Sequence, residues 1–277
     1  MRVGILGTGN VGANLVLHLA KLQAIKVLQL YSARRQSSES ALLDTVSATP
    51  ECAQKIELVQ RIEADIVVIT AGLQPYAKAN ASELLNANRN ITSEMLDRVW
   101  INPETIIVAV ATPVDIISKF VQLITCLPYN QVLGFGGDLD LNRLRFTLRK
   151  MGISAEGITI IGEHGKNVIP VYTGEMKYDQ VATEVRTFLD RISSKGNTTR
   201  NLASGELLAQ LIESIAEDRR RVHCVTCYHP QFKDWFTWPC VLGRNGVANL
   251  QSPILGPLAA AELEGLIEAR RILDLNN

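Results

Sequence analysis

The chain has no excess of charge of either sign: 28 Lys and Arg offset 28 Asp and Glu over 277 residues, giving a formal net charge of zero. A balanced chain has no electrostatic footprint for nucleic acid or an anionic membrane, so neither is expected as a partner. Long apolar runs are also missing. No stretch approaches the ~20 residues a spanning helix needs, and no basic segment followed by an apolar one opens the chain, so the expected compartment is the cytoplasm. Cysteine is sparse and odd in number, five in all, which does not describe a disulfide framework. With 47% apolar and 20% charged residues, the chain can still bury a substantial core, as one large α/β domain or two smaller ones.

What is present begins at the N-terminus. The apolar run Val3-Gly4-Ile5-Leu6 leads straight into Gly7-Thr8-Gly9-Asn10-Val11-Gly12, and an amphipathic run from Ala13 to Ala20 follows. Strand, glycine turn and helix start in that order are the context a dinucleotide fingerprint requires. Gly7 permits the tight turn, Gly9 lets backbone approach a pyrophosphate, and Gly12 lets helix pack on strand. The first N–H groups of the helix, from Asn10 and Val11 onward, face the anion.

A second strand is expected over residues 25–31, ending in Ser32-Ala33-Arg34-Arg35. An Asp or Glu there would bond the ribose 2′-hydroxyl of NAD. Instead, Ser32 with the guanidiniums of Arg34 and Arg35 suits a 2′-phosphate and favours NADP, while solvated loop arginines with NAD held on Ser32 is the competing reading. Asp65 to Thr70 reads as a third buried strand ending at Ala71-Gly72, and residues 73–80 as a loop before a helix over 81–100. Further elements are a strand over 105–111 broken by Thr112-Pro113, a helix over 114–125, a short strand over 131–134 and a helix over 139–151. This alternation predicts a Rossmann-type doubly wound parallel sheet over residues 1–137, followed by an α+β substrate domain over 138–277. In the second part, helices are expected over 180–193, 203–221 and 259–273, with a strand over 235–242. The basic Arg219-Arg220-Arg221 at the end of the second of these helices is explained by its C-terminal dipole.

An apolar strand over 158–161 delivers Gly162-Glu163-His164-Gly165. Taken with the fingerprint, Thr70-Ala71-Gly72, Leu84-Leu85 with Asn88 and Ile91, Thr112-Pro113-Val114-Asp115, Leu139-Asp140 with Arg143, Lys195-Gly196 with Thr198, and Pro239 with Val241 through Gly246, the chain resembles the lactate/malate dehydrogenase family over nearly its whole length. The resemblance implies hydride transfer between NAD or NADP and a 2-hydroxy or 2-oxo acid, in a homodimer or homotetramer. It also implies roles: His164 as proton donor, Asp140 as its partner, Arg143 as the fork for the substrate carboxylate, and Ala71, Gly72 and Thr112 beside the cofactor. Each residue type can do that chemistry. On the residues alone, an Asp140–Arg143 helix ion pair and a core histidine remain the alternative.

The chain departs from the family pattern in several places. Alignment puts Ala81 where the family's loop carries a substrate-closing arginine, and removing a cation aimed at a developing oxyanion commonly costs about 10²–10³ in rate. Lys78 could supply a point charge instead, and Tyr76 falls where the loop sets side-chain preference, which suggests an apolar or aromatic substrate. Thr112 replaces an asparagine, and the segment between His164 and Lys195 is short, suggesting a trimmed sheet and a more open site. The alternative function is a non-catalytic dinucleotide-binding or sensing protein on the same fold. Finally, His223, Cys224, Cys227 and His229 have a zinc-like look, but in a strand Cys224 and Cys227 point to opposite faces, and no metal is expected.

Overall fold

The computed structural model describes residues 1–73, 80–172, 177–194 and 201–275. Strand β1 (Arg2–Leu6) sits at the centre of the parallel part, with helix α1 (Asn10–Ala20) leaving its carboxyl end. It is followed by β2 (Val27–Tyr31), α2 (Arg35–Ala48), β3 (Ile56–Leu58), β4 (Ile66–Ile69), α3 (Ala81–Leu96), β5 (Ile106–Ala109), α4 (Val114–Thr125) and β6 (Val132–Gly134). These strands pair in parallel in the order β3-β2-β1-β4-β5-β6. The expected doubly wound parallel sheet is therefore present.

Its inner strands are apolar without interruption because helices cover both faces. Val3, Ile5, Ile66, Val68, Ile106 and Val108 share one core, and Leu6, Val67, Ile69, Ile107 and Ala109 share the other, as the two-residue period of a strand dictates. On the first face, α1 packs on α8 (Leu202–Ala216). The helices cross closely at Gly205, where a Cβ would lie 2.7 Å from the Cβ of Asn14.

The sheet continues past β6 by changing direction. Helix α5 (Gly137–Lys150) leads to β7 (Thr159–Gly162) and β8 (Val168–Val171), and then to α6 (Tyr178–Arg186) and α7 (Phe188–Ser194). After α8 come β9 (Val222–His229), β10 (Asp234–Gly243), β11 (Gly246–Leu250) and α9 (Pro257–Leu275). Strand β9 joins β6 antiparallel at Gly134–Thr226, and β10 pairs with β9 on one edge and with β7 and β11 on the other.

Several boundaries differ from the sequence reading. The helix expected over 180–193 is two helices, α6 and α7, with Thr187 between them. The helix expected to reach Arg221 stops at Ala216, because Asp218 and Arg220 take positive φ (both 53°) and turn the chain. The dipole explanation for Arg219–Arg221 is therefore corrected: Arg219 folds back on Glu213 and Glu217, and Arg220 pairs with Asp218. Strands β3, β8 and β11 and helix α2 have no counterpart in the sequence reading.

Candidate active site

Two groups of residues converge at the carboxyl ends of the parallel strands. The first is the glycine turn. Gly7 adopts φ +94°, which an L side chain rarely tolerates, and its N–H donates to Tyr31 O at 2.8 Å. A Cβ on Gly12 would run into the Gly7 carbonyl and lie 2.8 Å from Thr70 Oγ1. The Thr70 hydroxyl in turn donates to the carbonyl of Gly7 and, at 3.2 Å, to that of Leu6. Gly9, the N-cap of α1, faces open space, with no heavy atom within 4 Å of where a Cβ would stand. No side chain caps α1 and no acidic residue occupies its first turn, so its leading N–H groups have no partner among the described residues and its dipole is left without an acidic side chain. The turn thus has the open backbone and available donors that a dinucleotide pyrophosphate requires.

Ser32 faces into this turn: its Oγ accepts from Thr8 N at 2.8 Å and lies 2.7 Å from Thr8 Oγ1. Arg34 is the N-cap of α2 and is exposed, without an ion-pair partner among the described residues. Arg35 is exposed and pairs with Glu39 at 2.9 Å. Nearby, Asn88 is fully buried and ties two strand ends together. Its Nδ2 donates to Thr112 O at 2.7 Å and its Oδ1 accepts from Leu73 N at 2.7 Å. A Cβ on Gly72 would lie 2.9 Å from that of Ala111, which explains the small residues there. Tyr76, Lys78, Lys195, Gly196 and Thr198 lie outside the described residues. Ala81 opens α3 behind Asn80, whose Oδ1 accepts from Ser82 N at 3.1 Å.

The second group is built on α5 and the turn after β7. Asp140, in the first turn of α5, has a side chain 1% exposed. Its Oδ2 accepts from His164 Nδ1 at 2.7 Å and from Gly165 N at 2.9 Å, and its Oδ1 accepts from Arg143 Nη1 at 2.6 Å. Burial by itself opposes ionisation of Asp140, but the charge and hydrogen bond of His164, with Arg143 and the Gly165 amide, outweigh it and hold the carboxyl below its usual range. Burial likewise opposes a charged His164, yet the Asp140 carboxylate raises the imidazole above its ordinary value. The His164 and Arg143 side chains keep 18% and 12% of their surface exposed. Because Nδ1 is committed to Asp140, Nε2 is the ring nitrogen left to exchange a proton. Arg143 uses one Nη on Asp140, so the ion pair of the alternative reading is present, and its other donors have no partner among the described residues.

Three contributors escaped the sequence reading as site residues. Gly136 lies against the imidazole, and a Cβ there would sit 2.5 Å from His164 Cγ. The Gly136-Gly137 pair at a strand end was the available signal. Asp115, in the first turn of α4, is buried and accepts from Thr226 Oγ1 at 2.9 Å and Thr237 Oγ1 at 3.4 Å. Burial pushes its pKa to about 6, with Glu163 adding to the rise while Arg270, Thr226 and His164 hold it back. Arg270 of α9 reaches the turn through Glu163 at 2.5 Å, a contact between residues 107 apart that no local pattern announces.

The other His/Cys stretch is occupied otherwise. His223 Nδ1 bonds Asp138 Oδ2 at 2.7 Å, Cys224 Sγ lies 3.4 Å from Thr159 Oγ1, and His229 stacks on Phe232 at 4.2 Å. Burial pushes the Cys224 thiol up to about 12, so it is not poised to ligate. Among the described residues no group of three His, Cys, Asp or Glu could hold a metal, and no helix is long and apolar enough to cross a membrane.

Residues 1–134 match the family model described as lactate/malate dehydrogenase, NAD binding domain. The chain is similar to lactate and malate dehydrogenases. The whole chain aligns at 28% identity with 97% of a malate dehydrogenase from Chlorobium luteolum. It aligns at 27% identity with an L-lactate dehydrogenase A of Rhizopus oryzae, over 100% of this chain and 93% of that one, and with the human L-lactate dehydrogenase A-like 6B, over 95% and 78%. The first of these alignments runs over 309 positions, so the relative carries segments that this chain, at 277 residues, lacks.

Proposed function

We propose that the protein reduces a 2-oxo acid, or oxidises the matching 2-hydroxy acid, with a nicotinamide dinucleotide, and that it works in the cytoplasm. The observation that carries this reading is one buried carboxylate, Asp140, holding both a partly exposed imidazole and a guanidinium. Five free cysteines accord with a reducing compartment. Residues 1–137 form the nucleotide-binding unit in this reading and 138–277 the substrate unit.

The N–H groups of Asn10, Val11 and Gly12, beside the open backbone of Gly9, would hold the pyrophosphate, and Ala71, Gly72 and Thr112 would flank the cofactor toward the reacting end. When bound, the reduced cofactor supplies a hydride for C2 of the oxo acid. The matching proton comes from His164 Nε2 and goes to the carbonyl oxygen. Asp140 holds the ring by Nδ1, fixing its tautomer and favouring the charged form that donates. Arg143 offers its remaining donors to the substrate carboxylate. With Ala81 in place of the loop arginine, the substrate's carbonyl receives less polarisation; Lys78 is proposed to supply a point charge instead, and Tyr76 to set a preference for an acid with an apolar or aromatic side chain.

The preferred cofactor in this reading is NADP. Ser32 stands where a carboxylate would repel a 2′-phosphate, and a recess of about 100 Å³ is lined by Tyr31, Ser32, Ala33 and Arg35. Helix α2 begins there with no side-chain cap and no acidic residue in its first turn, so its N-terminus also offers unsatisfied donors to an anion. Titration calorimetry with NADPH and NADH tests this. The expected result is tighter NADPH binding, with the gap closed by Arg34→Gln/Arg35→Gln; a preference for NADH in the wild type reverses the assignment. Binding of neither would leave no basis for a dehydrogenase. Binding without turnover on any 2-oxo acid would favour a non-catalytic sensor, the function to which the missing loop arginine points.

A further inference from the structure

The turn that carries His164 is bent at two glycines, Gly162 at φ +95° and Gly165 at φ +92°, and is held from two elements. Asp140 of α5 grips it at His164 Nδ1 and Gly165 N. The second grip comes from the last helix. Arg270 Nε donates to Glu163 Oε1 at 2.5 Å, and the other oxygen of Glu163 accepts from Asn167 Nδ2 at 2.6 Å, so the residues on both sides of the imidazole are tied down.

Arg270 is itself fixed. Its Nη1 donates to Asp234 Oδ2 at 3.1 Å, Lys119 Nζ lies 3.1 Å from the other oxygen of that carboxylate, and the guanidinium carbon lies 5.1 Å from the centre of the Phe236 ring. The side chain is 12% exposed, and its Nη2 is buried without a hydrogen-bond partner among the described residues. A buried guanidinium with one donor unmet is a poor way merely to dock a helix. Docking is provided elsewhere on α9. Glu262 accepts from Tyr178 Oη at 3.0 Å and from Arg186 Nη2 at 2.5 Å, and the Nε of Arg186 donates to Val168 O at 2.9 Å.

We propose that Arg270 is a positioning residue for His164, so that the C-terminal helix sets the placement of the imidazole through the Arg270–Glu163 pair. This rests on the role assigned to His164 above. Misplacing an acid/base group by a fraction of an ångström lowers turnover without weakening cofactor binding, and a loss of about 10-fold is expected.

The test compares Arg270→Met, Arg270→Lys and Glu163→Gln with Glu262→Gln, which loosens α9 away from the turn. Three readouts are taken: the downfield proton resonance of the His164–Asp140 hydrogen bond, kcat on a 2-oxo acid, and the Kd of the reduced cofactor. Arg270→Met and Glu163→Gln should broaden or shift the resonance and lower kcat about 10-fold, with Kd kept within twofold. Arg270→Lys should recover part of both. Glu262→Gln should lower Tm while leaving resonance and kcat in place. If Arg270→Met lowers Tm but keeps the resonance and kcat, the proposal is overturned. Should Arg270→Met fail to fold, Glu163→Gln and Arg270→Lys decide by the same readouts. If the wild type turns over no 2-oxo acid, the dehydrogenase reading falls, while the resonance still decides whether Arg270 positions the ring.

Discussion

Replacing Asp115 by Asn should stabilise the protein at neutral pH. The carboxyl is buried under β9 and β10, with the hydroxyls of Thr226 and Thr237 as donors, and its pKa rises from an ordinary 3.8 to about 6. A raised carboxyl pKa means that the folded state holds the proton more tightly than the unfolded chain. Stability is therefore lost as pH rises from about 4 to about 6 and is level above that. A shift of about two units at ~1.36 kcal/mol each makes the ionised group cost about 3 kcal/mol at pH 7.5, and roughly half as much at pH 5. Asparagine keeps the acceptor for Thr226 and never ionises. Urea unfolding of both proteins between pH 5 and pH 8 measures the difference. The variant should gain stability relative to wild type across this range and level off above pH 6. A difference that does not change with pH, or one that grows toward acid, would refute the reasoning.

Other substitutions probe the site directly. Asp140→Asn removes the anion that raises His164 and should lower kcat by about 10³-fold or more, leaving cofactor affinity intact by calorimetry. In the reductive direction, wild-type turnover should hold through pH 6.5 and fall as pH rises through the elevated His164 pKa, whereas in Asp140→Asn that fall should begin at lower pH. Gly136→Ala brings a methyl against the ring and should cost about 10²-fold in kcat with cofactor binding retained. Ala81→Arg restores a cation at the loop position and should raise kcat/KM on small 2-oxo acids by about 10²-fold.

The parallel sheet was legible because its strands are continuous apolar runs between turn residues, and helix α4 was predicted to the residue because Pro113 marks its start. What stayed hidden has physical causes. Helix α2 buries Ser38, Ala41 and Thr45 at helical spacing, but none is a large apolar residue, so no hydrophobic period reveals it. Strand β3 is only three residues long. Strand β11 has a local signal in Asn245-Gly246, a hairpin dipeptide at which Gly246 takes φ +88°. The end of α8 is hidden because Glu217 to Arg221 include no Gly or Pro to mark a stop and the basic residues suit a helix C-terminus, while the chain turns at Asp218. In the site, Asp140, Arg143 and His164 could be named from the family pattern. The contributions of Gly136, Asp115 and Arg270 depend on contacts between distant segments, which a linear pattern does not carry.

The most direct test of the account is transfer of a labelled hydride. The purified protein would be incubated with NADPH, and separately NADH, deuterated at C4 of the nicotinamide, together with a panel of 2-oxo acids that includes apolar and aromatic side chains. The prediction is a 2-hydroxy acid carrying deuterium at C2, formed by the wild type and lost in His164→Gln, which still binds cofactor. Cofactor binding with no deuterium in any product, or equal transfer by His164→Gln, would contradict it.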